Sequence, residues 1–335
     1  MSQEKGVLFL AERRGGGLAR TSAELVTAGL KIAAELGEEC SAALVGTGLG
    51  DDAQQLIDMG VQRVYVVEDD SFSRYEPESY LEIMTQLCRE AQPKVVLMSH
   101  AEVGRDLAPR LAFALDTGFA PNCVDVVLEA ESSRLQVTRP VFGGKAQGLF
   151  TLTDAAPHIL TIGLKVFEPA VAESGRQGEI TSVVPAIETA AFKTSIVEHV
   201  DEEVEGVRLE DAGVVVAGGR GVGSAEGFEQ LKELATALGG CVGASRASID
   251  NGWVPSNLQV GLTGAVVSPN VYVAVGISGA AQHMAGCSSA KTIIAINSDP
   301  EAPIFQRAPF GVVADWKEIV PPLIEKCRSM SGGES

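Results

Sequence analysis

The sequence predicts an α/β protein of two domains, each with a mostly parallel sheet flanked by helices. Three observations carry this expectation. Short apolar runs alternate with longer stretches whose apolar residues recur every three or four positions, the pattern of βαβ units. One of the short runs, 271–275 (VYVAV), is apolar enough to belong to a strand buried on both faces, as at the centre of a sheet. Two such series occur, separated by a polar, acid-rich stretch, in a chain of 335 residues with 45% hydrophobic residues and 37 glycines, long enough for two cores.

In the first series, residues 6–11 (GVLFLA), 40–45 (CSAALV), 63–67 (RVYVV) and 95–98 (VVLM) read as strands. Helical patterns lie between them at 22–36, 53–59, 78–89 and 103–115. Four further strand-like runs, 123–128, 135–140, 148–152 and 158–162, follow without a long helix, so the first domain is expected to end as a β-rich extension. Polar and charged residues thicken from 174 to 211. The expected division is an amino-terminal α/β domain at 1–195, an acidic linker at 196–211, a second α/β domain at 212–328 and a flexible tail at 329–335.

Composition narrows the function. A net charge of -18, from 44 acidic against 26 basic side chains, excludes nucleic acid and anionic membrane as natural partners. Six cysteines without a CxxC pair fit buried thiols in a reducing compartment, and neither a zinc nor an iron–sulfur site is expected. The amino terminus enters a strand without a leader pattern, and no apolar run approaches ~18 residues, so a cytoplasmic protein without direct membrane insertion is expected. His100, His158 and His199 lie in unrelated contexts and read as structural. Asp106 and Arg110 have the i, i+4 spacing of a helix-face ion pair. Lys145 and Gln147 sit in a glycine turn, VFGGKAQG, whose chemistry does not follow from the residues.

The second series concentrates the chemistry. Strands are expected at 213–217, 241–244, 271–275, 292–296 and 311–314, and a glycine or polar group follows each: Gly218 to Gly221, Ser245 and Arg246, Ser278 to His283, Asn297, and Asp315. Open parallel sheets bind ligands at the carboxyl ends of their strands, so five elements converge on one crevice. The central stretch, residues 270–297, reads NVYVAVGISGAAQHMAGCSSAKTIIAIN. Its buried strand gives way to Gly276 and Gly279, which let the backbone turn sharply, and then to helix-opening amides that favour negative charge. A phosphorylated cofactor fits. The turn AGGRGVGSAEGFEQL departs from the dinucleotide fingerprint GxGxxG, counted from Gly219, because Ser224 holds the last glycine position. A helix capped by Ser224 still makes a phosphate cradle, while the alternative is a glycine-rich connector with a surface arginine. Taken singly, Arg246 reads as a partner for a carboxylate and QVGLTG (259–264) as a tight turn.

Read together, GGRG at 218–221, GASRA at 243–247, QVGLTG at 259–264, VYVAVGISGAAQHMAG at 271–286 and KTIIAINSDPEAPIFQ at 291–306 resemble the alpha subunit of electron-transfer flavoproteins in order and spacing. The match runs from about 213 to 320; the amino-terminal half is similar in general layout. The resemblance implies a FAD-binding, doubly wound second domain in a heterodimer with a smaller beta subunit. It implies electron transfer with no catalytic residue of its own, from flavoprotein dehydrogenases of the acyl-CoA dehydrogenase type, in fatty acid oxidation, to a quinone reductase. The partner subunit would hold AMP, or a second FAD in an NADH-dependent form that bifurcates electrons. Two alternatives remain: a nucleotide-binding domain of a thiamine- or nicotinamide-dependent enzyme, and a regulatory or scaffold protein that uses a bound nucleotide only for structure.

By the same resemblance, FAD-contacting positions fall on Arg220, Ser245, Arg246, Gln259, Val260, Gly261, Leu262, Thr263, Ser278, Gly279, Ala280, Ala281, Gln282, His283, Asn297, Asp315 and Trp316. Arg246 matches the arginine over the flavin ring, Thr263 the hydroxyl facing N5, and His283 the group near the pyrimidine carbonyl. Asn297 and Asp315 match the adenosine end. Reduction places negative charge on the N1 and C2 carbonyl edge, so a nearby cation raises the first potential, and Arg246 and a protonatable His283 are suitable types. A unit charge at ~6 Å with an effective dielectric of ~20 contributes roughly 3 kcal/mol, on the order of 100 mV for one electron. Leu262 departs from the family, which commonly has glutamine there.

Overall fold

The computed structural model describes residues 5–129, 134–142, 144, 146–153, 155–187, 192–194, 196–198 and 208–331. His199, Lys145, residues 199–207 of the expected linker and residues 332–335 of the expected tail lie outside them. The chain divides into two units, Met1–Val141 with Ala146–His199, and Phe142–Lys145 with Val200–Ser335.

The first unit runs β1 (Val7–Ala11), β2 (Arg13–Arg14), β3 (Gly17–Leu18), α1 (Arg20–Leu36), β4 (Cys40–Gly46), α2 (Asp52–Asp58), β5 (Arg63–Glu68), α3 (Pro77–Ala91), β6 (Val95–Ser99), α4 (Glu102–Ala114), β7 (Phe119–Cys123), β8 (Asp125–Leu128), β9 (Leu135–Val141), β10 (Ala146–Thr151), β11 (His158–Ile162) and β12 (Glu179–Ser182). Seven strands form one parallel sheet in the order β12-β5-β4-β1-β6-β11-β7. Every residue of β1, β6 and β11 is buried, including Ser99, His158 and Thr161 among their apolar neighbours. Helix starts and stops follow local chemistry: the Glu76 carboxylate accepts from the Ser79 amide ahead of Pro77, and Gly37 at φ 67° ends α1. Asp106 and Arg110 pair at 3.0 Å on α4, and the Tyr75 hydroxyl donates to the same carboxylate at 2.7 Å.

Three features differ from the sequence expectation. His158–Ile162 is no part of a terminal extension; as β11 it lies between β6 and β7, and only β8, β9 and β10 form a separate antiparallel sheet. An apolar run states that a strand is buried, not which sheet buries it. The run 123–128 is two strands broken at Val124, so that β7 joins the large sheet and β8 the small one. Glu179–Ser182 forms β12 in a stretch too polar to read as a strand. It is an exposed edge, paired with β5 and held by Arg63 and Glu179 at 2.8 Å.

At the carboxyl end of the first sheet, between β1 and β6, the chain's own side chains fill the crevice. Ser99 Oγ donates to Glu12 at 2.5 Å and Thr21 Oγ1 to the same carboxyl at 3.3 Å. Burial raises the Glu12 pKa despite these bonds.

The second unit runs β13 (Val214–Gly218), α5 (Ala225–Ala237), β14 (Cys241–Ala244), α6 (Arg246–Asp250), β15 (Val271–Val275), α7 (Ala281–Cys287), β16 (Thr292–Asn297), β17 (Phe310–Val313) and α8 (Trp316–Ser331). All five expected strands are present in one parallel sheet, ordered β14-β13-β15-β16-β17. Strand order reverses between β13 and β15, which opens a crevice at their carboxyl ends. Ser224 caps α5 by accepting from the Gly227 amide at 3.4 Å. Among the described residues, no helix is long and apolar enough to cross a membrane, and no cluster of metal-ligating side chains occurs.

Close packing gives this fold a sharp test. A Cβ at Gly104 on α4 would lie 1.9 Å from the Ser99 carbonyl oxygen, which forces α4 away from β6. Gly104→Ala is expected to cost about 1–3 kcal/mol in urea denaturation; an unchanged midpoint would contradict this packing.

Candidate functional site

Two glycine turns make the floor of the crevice. The Gly219 amide donates to the Val275 carbonyl at 2.8 Å and the Gly221 amide to the Gly276 carbonyl at 3.0 Å, which ties the turn after β13 to the turn after β15. The backbones touch: a Cβ on Gly219 would sit 2.3 Å from the Gly276 oxygen, and one on Gly276 would sit 2.8 Å from Gly221. Gly276 and Gly279 also adopt φ of 61° and 85°, so glycine is required there twice over. A Cβ on Gly279 would meet the Ile304 amide nitrogen at 2.5 Å.

Beyond Gly276 the backbone runs out of acceptors. Among the described residues, the amides of Ile277 to Gln282 donate to none, although Ser278, Ala280, Ala281 and Gln282 are exposed. Unpaired donors at the mouth of a crevice are anion ligands in waiting.

The opposite wall is the loop from Gln259 to Gly264, and it is fastened at several points. The Val260 amide donates to Ala244 at 2.8 Å, the Leu262 amide to Gln282 at 2.8 Å and the Ala265 amide to Gln259 at 2.7 Å. Gly286 lets α7 approach so closely that a Cβ there would stand 2.3 Å from the Gly261 nitrogen. The backbone is therefore fixed while its side chains stay free. Leu262 is 64% exposed, and exposed Thr263 accepts from Gln259 Nε2 at 3.0 Å.

Ser245 opens α6, its amide bound to the Gly218 carbonyl at 2.9 Å and its hydroxyl 3.3 Å from that of Ser248. Arg246, the next residue, is 70% exposed and 3.6 Å from Asp250 one turn on, so its charge is available but screened. The Arg220 side chain is exposed at the glycine turn.

His283 behaves differently from a ready cation. It is 8% exposed, its Nε2 lies 2.9 Å from the Tyr272 hydroxyl, and its Nδ1 is buried without a hydrogen-bond partner. Burial pushes its pKa down to about 4, with the Val260 backbone opposing more weakly. The imidazole is neutral at pH 7. A sequence shows that His283 can take a proton; it does not display the burial that holds the ring neutral.

Asn297, Asp315 and Trp316 have internal duties. Asn297 donates from Nδ2 to the Ile277 carbonyl at 2.9 Å and accepts from the Asp299 amide at 3.0 Å. Asp315 accepts from the Lys317 amide at 3.0 Å where α8 begins. Trp316, 6% exposed, packs in the core with Val222 and Phe228, against Gly227. The structure thus gathers 259–264, 278–283, Ser245, Arg246 and Arg220 around strand ends, and ties Asn297, Asp315 and Trp316 into the scaffold. Sequence reasoning passed over Tyr272 and Gly286; the only signal was a tyrosine inside a valine strand and a small residue three positions after His283.

Residues 7–188 match the family described as "Electron transfer flavoprotein domain", and residues 208–288 match "Electron transfer flavoprotein FAD-binding domain". The subunit named "Electron transfer flavoprotein subunit alpha" of Thermoanaerobacterium thermosaccharolyticum is 38% identical over 98% of this chain and 100% of its own length. The chain belongs to the electron transfer flavoprotein alpha-subunit family. Its namesake from Megasphaera elsdenii is 37% identical over 99% of each chain. The "Lactate dehydrogenase (NAD(+),ferredoxin) subunit LctC" of Acetobacterium woodii is 32% identical over 96% of this chain and 76% of its own. In this chain the FAD-binding match covers the glycine turns, the fastened loop and α7, and stops before Asn297. The donor set fits a flavin dinucleotide: unpaired amides suit a pyrophosphate, and a fastened loop with two glycines suits a ring edge.

The His283 environment has a consequence for stability. Its folded pKa, about 4, lies below the unfolded value of about 6.5, so on acidification the unfolded chain takes up the proton first. Stability is present above pH ~6.5, falls by about 1.4 kcal/mol on reaching pH ~5.5, and levels off near pH ~4 after a total loss of about 3 kcal/mol. Urea melts at pH 7.5 and 5.5 are expected to show His283→Gln losing less stability on acidification than wild type; equal losses would place the imidazole in water.

Proposed function

We propose that this chain is the alpha subunit of a heterodimeric electron carrier, with FAD in the crevice at the carboxyl ends of β13, β14 and β15 and a smaller beta subunit as partner. The run of unpaired amides from Ile277 to Gln282 carries the proposal. When bound, FAD supplies the redox chemistry, accepting and releasing one electron at a time. The protein's residues supply the rest. The amides of 277–282 bind the pyrophosphate, and the Gly219, Gly221 and Gly276 turns let backbone approach it without side-chain bulk. Gln259 to Gly264 lays backbone along the ring edge and offers the Thr263 hydroxyl. Arg246 contributes positive charge, and Ser245 anchors the strand end that carries it.

The electron donors under this proposal are flavoprotein dehydrogenases of the acyl-CoA dehydrogenase type, and the acceptor is a quinone reductase, which places the carrier in fatty acid oxidation. Four fully buried free thiols, Cys40, Cys88, Cys123 and Cys287, suit the reducing cytoplasm as its location. A second reading is favoured by the Acetobacterium woodii relative, whose name links NAD and ferredoxin. There the heterodimer divides the electron pair of NADH between two acceptors, which requires a second FAD in the beta subunit.

Counting flavins in the purified heterodimer tests both readings. One FAD, with AMP in the beta subunit, is the expected result; two would transfer support to the bifurcating form, and a colourless heterodimer would overturn both. Arg246→Ala is expected to retain FAD while its first reduction potential falls by tens of millivolts, with on the order of 100 mV as the ceiling because the guanidinium is solvated. An unmoved potential in a spectroelectrochemical titration would remove Arg246 from the role. Leu262→Gln adds a polar group on an already fastened backbone, so a shift in potential without loss of stability is expected; identical midpoints would make the position silent.

A further inference from the structure

Beneath the loop that lies along the proposed flavin ring is a buried polar pair that no sequence motif announces. Tyr272, in the middle strand of the sheet, is fully buried, and its hydroxyl stands 2.9 Å from His283 Nε2. That hydroxyl has one proton and two acceptors in reach, the ring nitrogen of His283 and the sulfur of Cys287. An imidazole nitrogen is much the stronger acceptor. The thiol has another use for its own hydrogen, donating to the His283 carbonyl with Sγ at 3.7 Å. Tyrosine therefore gives its proton to Nε2, and a neutral imidazole that accepts at Nε2 must carry its hydrogen on Nδ1. Nδ1 is buried without a hydrogen-bond partner, and the Val260 backbone is the polar group that bears on the imidazole. Among the described residues, no charged side chain is a cause of the shift at the ring, which lies against the Tyr272 hydroxyl and the Val260 backbone.

We propose that Tyr272 is a positioning residue that holds His283 as a neutral Nδ1–H tautomer, and that the pair props the 259–264 loop from below instead of supplying a cation to the ring. The loop's other fastenings point the same way. Leu262 binds α7 directly at Gln282, and Gly261 touches α7 at Gly286, so His283, on the helix between these two contacts, is part of the same clamp. Tyr272 connects the clamp to the sheet. The chemistry of the tautomer stands on these contacts alone, whereas its consequence for the cofactor rests on the flavin reading above. Electrostatic tuning then falls to Arg246.

The test is long-range 1H–15N NMR of the heterodimer with 15N-labelled histidine at pH 7.5, with the His283 signals assigned by their loss in His283→Gln. The expected wild-type spectrum shows one protonated nitrogen at Nδ1 and a bare, hydrogen-bonded Nε2. Protonation at Nε2, or at both nitrogens, overturns the proposal. Tyr272→Phe is expected to move the proton to Nε2 and to release FAD about five- to tenfold faster, the loss of one buried hydrogen bond. Retention of the Nδ1–H form in Tyr272→Phe also overturns it. Should Tyr272→Phe not fold, the wild-type spectrum still decides the tautomer. A colourless heterodimer with the Nδ1–H form supports the clamp and sinks the flavin reading; a yellow one with the Nε2–H form does the reverse.

Discussion

The second unit depends on the contact between two backbones, where the turn after β13 meets the turn after β15 with no side chain between them. Gly219 and Gly221 donate into the carbonyls of Val275 and Gly276, which locks the strand ends at the point where sheet order reverses. Those bonds take up the Val275 and Gly276 carbonyls, and among the described residues the amides that follow, 277–282, have no acceptor. The binding surface is thus a by-product of how the sheet is closed. Any residue with a Cβ at these positions would open the turns and remove both the lock and the donors.

The two sheets solve the same geometric problem in opposite ways. Each has a crevice at the carboxyl ends of its strands, where strand order reverses. In the first unit, Glu12, Ser99 and Thr21 fill it with mutually satisfied side chains. In the second, small residues keep side chains out and leave backbone donors unmatched. Polar satisfaction, not strand topology, separates a structural crevice from a binding one.

Much of this was legible in the sequence because it rests on local rules. Apolar runs identified the buried strands of both sheets, and the five strands expected of the second unit lie parallel in one sheet. Gly276 and Gly279 marked a sharp turn, and both adopt positive φ. Less legible were features decided by pairing at a distance. The sheet membership of β11, the break at Val124 and the edge strand β12 depend on which neighbour a segment meets, and β12 has one apolar residue, Ile180, in four. His283 was visible as a residue but not as a neutral one, because burial and the Tyr272 hydroxyl are properties of the folded site. Asn297, Asp315 and Trp316 were read as ligand contacts from their places in a pattern. Their bonds and burial give each a structural duty that a linear pattern does not reveal.

The side chains best placed to influence a bound ring, Arg246, Leu262 and Thr263, are all exposed, while the backbone that presents them is bonded at nearly every step. None of the three belongs to a hydrophobic core. A scaffold of this kind separates inheritance of shape from adjustment of voltage. Its redox set-point can drift by single exchanges at the rim while the framework stays the same, so one architecture can serve carriers working at quite different potentials.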